Sequence, residues 1–415
     1  MKSKDEIYEE MMNAGLRERK NTSIMVFTSL IVIGAVAFLI GIFGPNAERA
    51  WQSYLINFLF WSGLAFGTVL FSAIITMTKA RWGRPLKRLA EAPAAFLPVA
   101  FILFWVLYFG KEMLFPWIRE PIPEKAGWLN SGFLFARDGA SLLALTIIAV
   151  ALVYHSVRRD LRLPLSRKSS PEAQQVKPDD DAGNPQSFLS VIFGILYAVV
   201  LSLVAFDLVM SLSPHWYSTL FGAYFFIGSF YTGLAGLIIL STLSLKGLGL
   251  DKFINGEHFH DLGNLLLGFC LMTGDFFYAQ FFVIWYGNIP EETRYVIMRV
   301  RPAPWGTLAW AVLVVCFVLP FILLLSRKVK TSPIGMAILS GVVLVGMWFE
   351  RLLLVAPSLW KGAEMPFGLI EVMITAGFFG IMALCILLFI RRFPVLPVSD
   401  PVFRESVELA HAGDR

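Results

Sequence analysis

The sequence predicts an all-α, polytopic membrane protein of about ten transmembrane helices, and three observations carry that fold class. Hydrophobic residues make up 57% of the 415-residue chain and charged residues only 16%, with a mean hydropathy of +0.67. Apolar runs recur along the chain, each near the ~20 residues that a helix needs to cross hydrocarbon. Lys and Arg alternate in density between the segments joining those runs, as expected of a multi-pass protein. A soluble domain has no use for this pattern.

Residues 1–21 are charged and helix-prone, with neither an apolar h-region nor a small-residue cleavage site. They read as a cytoplasmic N-terminal segment and not as a removable signal peptide. The first four spans are expected at 22–43, 55–77, 93–110 and 131–154, making 22–154 one transmembrane block. Residues 155–187 contain RRDLRLPLSRKSS and KPDDDAGNP, rich in Pro, Ser and like charges without apolar periodicity. Such composition predicts a flexible cytoplasmic linker. Six more spans, at 188–212, 219–245, 262–287, 305–326, 334–355 and 368–390, form a second block over 188–390. Residues 391–415 are a C-terminal tail.

An even number of crossings puts both termini on one side. Segments on that side hold 25 of the 35 Lys and Arg, the opposite loops hold 8, and Arg137 and Arg351 fall inside spans. The positive-inside rule makes both termini cytoplasmic. The net charge of +5 is thus a topology signal and not a nucleic-acid footprint. No Gly-rich phosphate loop or nucleotide motif is present, which argues against ATP-driven transport by this chain. Cys270, Cys316 and Cys385 lie far apart inside apolar runs, against disulfides, iron–sulfur ligation or zinc. None of the five histidines lies mid-membrane, where a transmembrane haem takes its axial ligands. The expectation is that no metal or cofactor is bound by this chain's own ligands.

The stretch FDLVMSLSPHWYSTLFG, residues 206–222, concentrates the chemistry. Asp207 sits in the last turns of an apolar run, and intramembrane acids are functional by default. Pro214 ends regular helix, placing His215 about two turns away at the membrane–water boundary. An acid near a titratable imidazole predicts a proton-exchanging or quinol-facing pair; the plain alternative is a helical hairpin in which Asp207 is structural. Other ionisable residues share this half of the membrane: Arg137 and Asp138 in span four, Glu350 and Arg351 in span nine, and Glu371 in span ten. Asp275 alone is near mid-depth, in span seven. These residues read either as a half-channel reaching from the outer face to Asp275, or as salt bridges tying helices together, with Arg351 or Arg137 paired to Asp207, Glu350 or Glu371.

Glu291, Glu292 and Arg294 form a charged outer loop that is a candidate docking site for a soluble partner. Equally, Pro290-Glu291-Glu292 can open a short interfacial helix, with Pro early and acids in the first turn. A weak internal repeat relates Phe206-Asp207, Pro214 and Trp216 to Phe349-Glu350, Pro357 and Trp360. Both segments end a span at the same face, as parallel duplicated bundles would.

Several ordered blocks carry a family resemblance: Gln52-Ser53-Tyr54-Leu55 through Phe60-Trp61, Arg81-Trp82-Gly83 with Leu89-Ala90-Glu91-Ala92, Phe115-Pro116-Trp117, Leu129-Asn130, and Ser211 to Gly222. Further blocks are Asp261-Leu262-Gly263, Gln280 with Ile284-Trp285-Tyr286, Asn288 to Thr293, and the tail Pro394 to Pro401. On these the chain resembles the ActF subunits of bacterial alternative complex III, a branch of the NrfD-like (polysulfide reductase membrane subunit) proteins. The resemblance implies ten helices with two four-helix bundles, and a place in a quinol:cytochrome c (or other acceptor) oxidoreductase of the bacterial inner membrane. It implies as partners a second NrfD-like membrane subunit, a periplasmic iron–sulfur subunit and c-type cytochromes, which hold the clusters and haem c. Menaquinone or another quinone is the ligand it implies, with a role in proton conduction or quinone-site support and no redox centre of its own. The position of Asp275 is commonly aromatic in that family. The alternatives are a purely structural scaffold of the same complex, or a secondary transporter.

Overall fold

The computed structural model describes residues 22–45, 47–167, 185–360, 362, 364–400 and 403, and among these there is helix and loop but no strand. Residues 1–21, 168–184 and most of the tail beyond Asp400 lie outside the described residues. Ten helices are long and apolar enough to cross a membrane. They are α1 (Thr22–Ile42), α2 (Ala47–Met77), α3 (Arg84–Leu114), α4 (Ser131–Arg167), α5 (Pro185–Leu208), α6 (Leu220–Leu248), α7 (Gly256–Gly287), α9 (Trp305–Leu324), α10 (Pro333–Leu359) and α11 (Leu369–Arg392). The short α8 (Pro290–Val300) lies between α7 and α9.

Helices α2, α3, α4, α7 and α10 outrun the apolar stretches that predicted them, because hydropathy marks the buried depth and not the hydrogen-bonded end, whereas α1 and α9 keep within theirs. The segment expected to be flexible linker is helical as far as Arg167. α3 is broken into α- and 3-10 turns, three of which open with Pro85, Pro93 or Pro98 in their first positions. Proline lacks the N–H that continuous helix needs. In α9 the turn Val314–Val318 is π-helical, just ahead of Pro320. Its slack leaves the Cys316 carbonyl to accept from the Tyr231 hydroxyl at 3.1 Å, as π-bulges commonly do near sites of function.

Helices α2–α5 pack as one four-helix group, and α6, α7, α9 and α10 as a second. The two meet mainly through α2 and α6, which are the most buried helices. Close approach there depends on glycine: a Cβ on Gly233 would lie 2.5 Å from the Gly67 carbonyl carbon. Without a hydrophobic force between helices in lipid, such small-residue contacts are how backbones gain packing. α1 and α11 pair antiparallel alongside α2, meeting where Gly34 faces Gly377. The start of α1 and the end of α11 therefore share one face, termed here the terminal face; the loops after α3, α5 and α9's partner helix α10 lie on the far face. The expected two four-helix bundles with extra helices are present, and Asp207 and Glu350 each sit on the last helix of one group.

Candidate functional site

The first group closes around Asp207. Arg137 on α4 donates to Asp207 Oδ2 from Nε at 2.8 Å and from Nη2 at 2.5 Å. Trp128, in the loop before α4, donates to Oδ1 from Nε1 at 2.9 Å. The guanidinium lies 3.8 Å from the centre of the same indole, a cation–π contact that is stronger out of water. Asp207 is fully buried. Asp138, one residue past Arg137 and also fully buried, has neither carboxylate oxygen hydrogen-bonded. It is close enough to Asp207 for the two carboxylates to interact. One guanidinium balances one carboxylate, so a neutral site holds one proton on the pair.

The expected partnership of Asp207 with His215 does not form. His215 is exposed in the loop, and Asp207 is already saturated by Arg137 and Trp128. After α5 the chain turns through Met210–Leu212 and buries Trp216 instead, because an indole gains more from an apolar site than an imidazole does. Nor do Asp207, Glu350, Arg351 and Glu371 form one cluster. Glu371 is held by Arg49, at 2.6 Å from Nε and 2.9 Å from Nη2. That pair ties α11 to the start of α2, and Arg49 was a loop residue by hydropathy.

The second group is built differently. Tyr224 on α6 donates to Glu350 Oε1 at 2.7 Å. Arg351 Nη1 stands 3.0 Å from Glu350 Oε2 without making a hydrogen bond, while its Nη2 donates to Ser229 Oγ at 3.3 Å. Glu350 forms part of the wall of an apolar cavity of about 150 Å³ bounded by α6, α7, α8, α9 and α10. Its lining includes Trp216, Tyr224, Gln280, Tyr295 and Arg299. On the membrane side it is edged by Phe277 and Phe281, 48% and 40% exposed. The loop reading of residues 290–294 resolves as helix: Pro290 opens α8, Glu291 and Glu292 occupy its first turn, and Glu291 and Arg294 are exposed. Its other side faces the cavity. Tyr295 stacks on Trp216 with centroids 3.6 Å apart and planes 5° apart. Arg299 lies over the Tyr295 ring at 3.5 Å and donates to the Leu354 carbonyl and to Ser358 Oγ. Burial holds the Tyr295 hydroxyl above its ordinary pKa, so it stays a donor.

Three buried polar atoms on this wall have no hydrogen-bond partner: Tyr295 Oη, Trp216 Nε1 and Glu350 Oε2. Buried polar groups left without a hydrogen bond are costly, and the three residues that carry them all line one apolar cavity, the kind of place that takes a polar-tipped, apolar ligand.

Asp275 does not join any of these residues. It is exposed on the outward side of α7, so a half-channel running inward to it is not formed. Rotation about a helix axis decides this, and α7 is apolar on all sides.

The sequence reading missed a third cluster, at the terminal face. Arg88 donates to Glu91 at 2.5 Å and to Asp160, while Ser72 Oγ donates to Glu91 at 2.9 Å. Asp160 also accepts from the Ser399 backbone N–H at 2.7 Å, and Arg84 pairs with Asp400 at 2.6 Å. Loop charges are solvated by default, so nothing in composition flagged them. The available signal was that residues 81–92 and 394–401 both belong to the blocks carrying the family resemblance.

Among the described residues no three His, Cys, Asp or Glu side chains are grouped as a metal would require. Fold and site together define a multi-pass, all-helical membrane protein with buried ion pairs and a lateral apolar cavity. No protein-family model and no curated protein matches the chain.

Proposed function

We propose that this chain is an ActF-type, NrfD-like subunit of a quinol:cytochrome c (or other acceptor) oxidoreductase, alternative complex III, in the bacterial inner membrane. It supports a quinone site and moves the associated protons without a redox centre of its own. The reading rests on the ordered sequence blocks, and the single observation that carries it is the lateral cavity lined by Tyr295, Trp216 and Glu350, each with a buried polar atom that makes no hydrogen bond among the described residues. A quinol offers two hydroxyls on a flat ring with an apolar tail. Tyr295 and Trp216 supply donors for its oxygens, and Glu350 supplies an acceptor for a proton. Oxidation releases two protons and two electrons. The protons pass to carboxylates of this chain, and the electrons leave through haem c and iron–sulfur clusters on a periplasmic iron–sulfur subunit and c-type cytochromes. A second NrfD-like membrane subunit completes the complex. In this reading the terminal face, with both termini, is cytoplasmic.

The terminal-face cluster of Arg88, Glu91 and Asp160 gives the first group ionisable residues near both membrane faces. That arrangement suits proton conduction. One observation favours the scaffold alternative for Asp207: its carboxylate is fully paired and fully buried.

The test is purification of the tagged full-length chain from its native membrane in mild detergent, with subunit identification, a visible spectrum and a quinol:cytochrome c assay. Co-purifying c-type haem and iron–sulfur subunits with turnover are expected. A colourless chain without redox partners overturns the reading. Within the assembled complex, Glu350→Gln should lower turnover on the order of 10²-fold, as expected for loss of a proton acceptor. Unchanged turnover would remove Glu350 from the site.

A further inference from the structure

Asp138, Asp207, Glu350 and Glu371 are all buried among helices, whereas Asp275 is exposed. It has no hydrogen bond or ion pair among the described residues. Twelve residues separate it from Gly287 and nineteen from Gly256. At 1.5 Å per residue it lies about 18 Å from the nearer helix end, too deep for a short carboxylate to snorkel to water. Lipid is no place for it, since a charged side chain at the bilayer centre is costly.

The surface around it has the spacing of a helix-packing seam. Gly268, Leu271, Asp275, Tyr278, Phe282 and Trp285 follow one another at alternating steps of three and four, and all six are exposed. That is the a/d pattern by which one helix packs along another. Gly268 sits on the seam with open space where a Cβ would stand. By contrast, Gly263 and Gly274, on the inner side of α7, are pressed against Lys330 and Phe317. Glycine on the open side therefore serves no contact among the described residues, and it permits close approach by another backbone.

We infer that this seam of α7 seats a transmembrane helix of a different polypeptide, one that carries an Arg, Lys or His at mid-membrane depth against Asp275. Charge decides between occupants. A second copy docked face to face would set Asp275 against Asp275, and like charges in low dielectric repel. A basic side chain instead neutralises the acid and fixes the register, as a single polar seam residue does. The inference rests on the membrane fold and not on the redox reading, so it holds for a scaffold as well.

The experiment places a photo-crosslinking residue at Leu271 or at Tyr278 of the full-length chain in native membranes, with Val36 on the exposed side of α1 as the control position. Products are mapped by mass spectrometry. Crosslinks from both seam positions should map to a transmembrane segment of another protein with Arg, Lys or His within one helical turn of the linked site. Asp275→Lys should reduce that product at least about tenfold, and exchanging the partner's base for Asp should restore it. Asp275→Leu, which removes a charge that makes no hydrogen bond or ion pair among the described residues, should leave the purified chain's thermal stability unchanged while lowering the product. Crosslinks to lipid only, to a second copy, or to a segment lacking a base overturn the proposal. So does an undiminished product with Asp275→Lys or Asp275→Leu.

Discussion

The two four-helix groups carry the same sequence pattern, an acid after Phe near the far-face end of the last helix, then Pro and Trp, yet they put that acid to different use. In the first, Asp207 receives Arg137 twice and Trp128 once. In the second, Glu350 receives only Tyr224 as a hydrogen bond and forms part of the wall of a lateral cavity. The halves even touch, Ser213 Oγ lying 2.8 Å from Ser358 Oγ, each next to its group's proline. An internal repeat thus predicts position, and the neighbours supplied by other helices decide chemistry. A saturated ion pair belongs to the architecture, and an acid with spare valence beside a cavity belongs to a ligand.

The largest test of that contrast is Arg137→Ala. It strands two buried carboxyls, and breaking a buried pair by removing one partner costs about 3–5 kcal/mol. The expected outcome is a clear fall in thermal stability and in monodisperse recovery from membranes, largely reversed by adding Asp207→Asn. If the single variant is as stable as the parent, the first group is not held by this pair.

How much of this was legible in the sequence follows from what constrains each feature. Ten spans were readable because hydrocarbon thickness fixes the length of an apolar helix. The depth of Asp207, Glu350 and Asp275 was readable for the same reason. Rotation was not: α7 is apolar around its whole circumference, so nothing in the chain said that Asp275 points out while Gln280 reaches the cavity. Pairing was only half readable. Arg137 with Asp207 stood among the options, but Arg49, the partner of Glu371, lay outside the apolar run that defined α2. Trp128 carries no charge and so drew no attention, although its indole N–H completes the Asp207 site. The Arg88, Glu91 and Asp160 cluster was hidden because α3 extends past its apolar run to Arg84, with prolines that imitate a loop.

A smaller effect separates two hydrogen bonds that look alike. Trp128→Phe and Tyr224→Phe each remove one neutral donor from a buried carboxylate and keep most of the ring packing. Bonds to charged acceptors are worth about 1.5–3 kcal/mol. Trp128→Phe should lower stability by about that amount and leave quinol turnover per assembled complex unchanged. Tyr224→Phe should do both: destabilise, and change turnover per assembled complex and its pH profile, because Glu350 loses its one hydrogen-bond donor beside the cavity. Equal turnover profiles for the two variants would erase the distinction between the groups.

The smallest effect on stability is expected from Tyr295→Phe, and its smallness is informative. The hydroxyl makes no hydrogen bond among the described residues, while the ring keeps its stack on Trp216 and its contact with Arg299. Removing an unpaired buried polar atom is close to neutral or slightly stabilising. A donor held for a ligand should instead show in binding: KM for quinol should rise about 5- to 10-fold, matching a hydrogen bond of about 1–1.4 kcal/mol, with kcat little changed. Burial raises the pKa of this phenol above its ordinary value of 10.0. The folded chain therefore holds the proton more tightly than the unfolded one, and the associated stability is lost only as pH rises from about 10 upward. Across pH 6–9 the donor is intact, so the KM ratio between parent and Tyr295→Phe should stay flat while Glu350 variants change the profile. A ratio that moves with pH in that window would mean that the hydroxyl is coupled to a titrating neighbour, and the division of labour between donor and acceptor in the cavity would have to be redrawn.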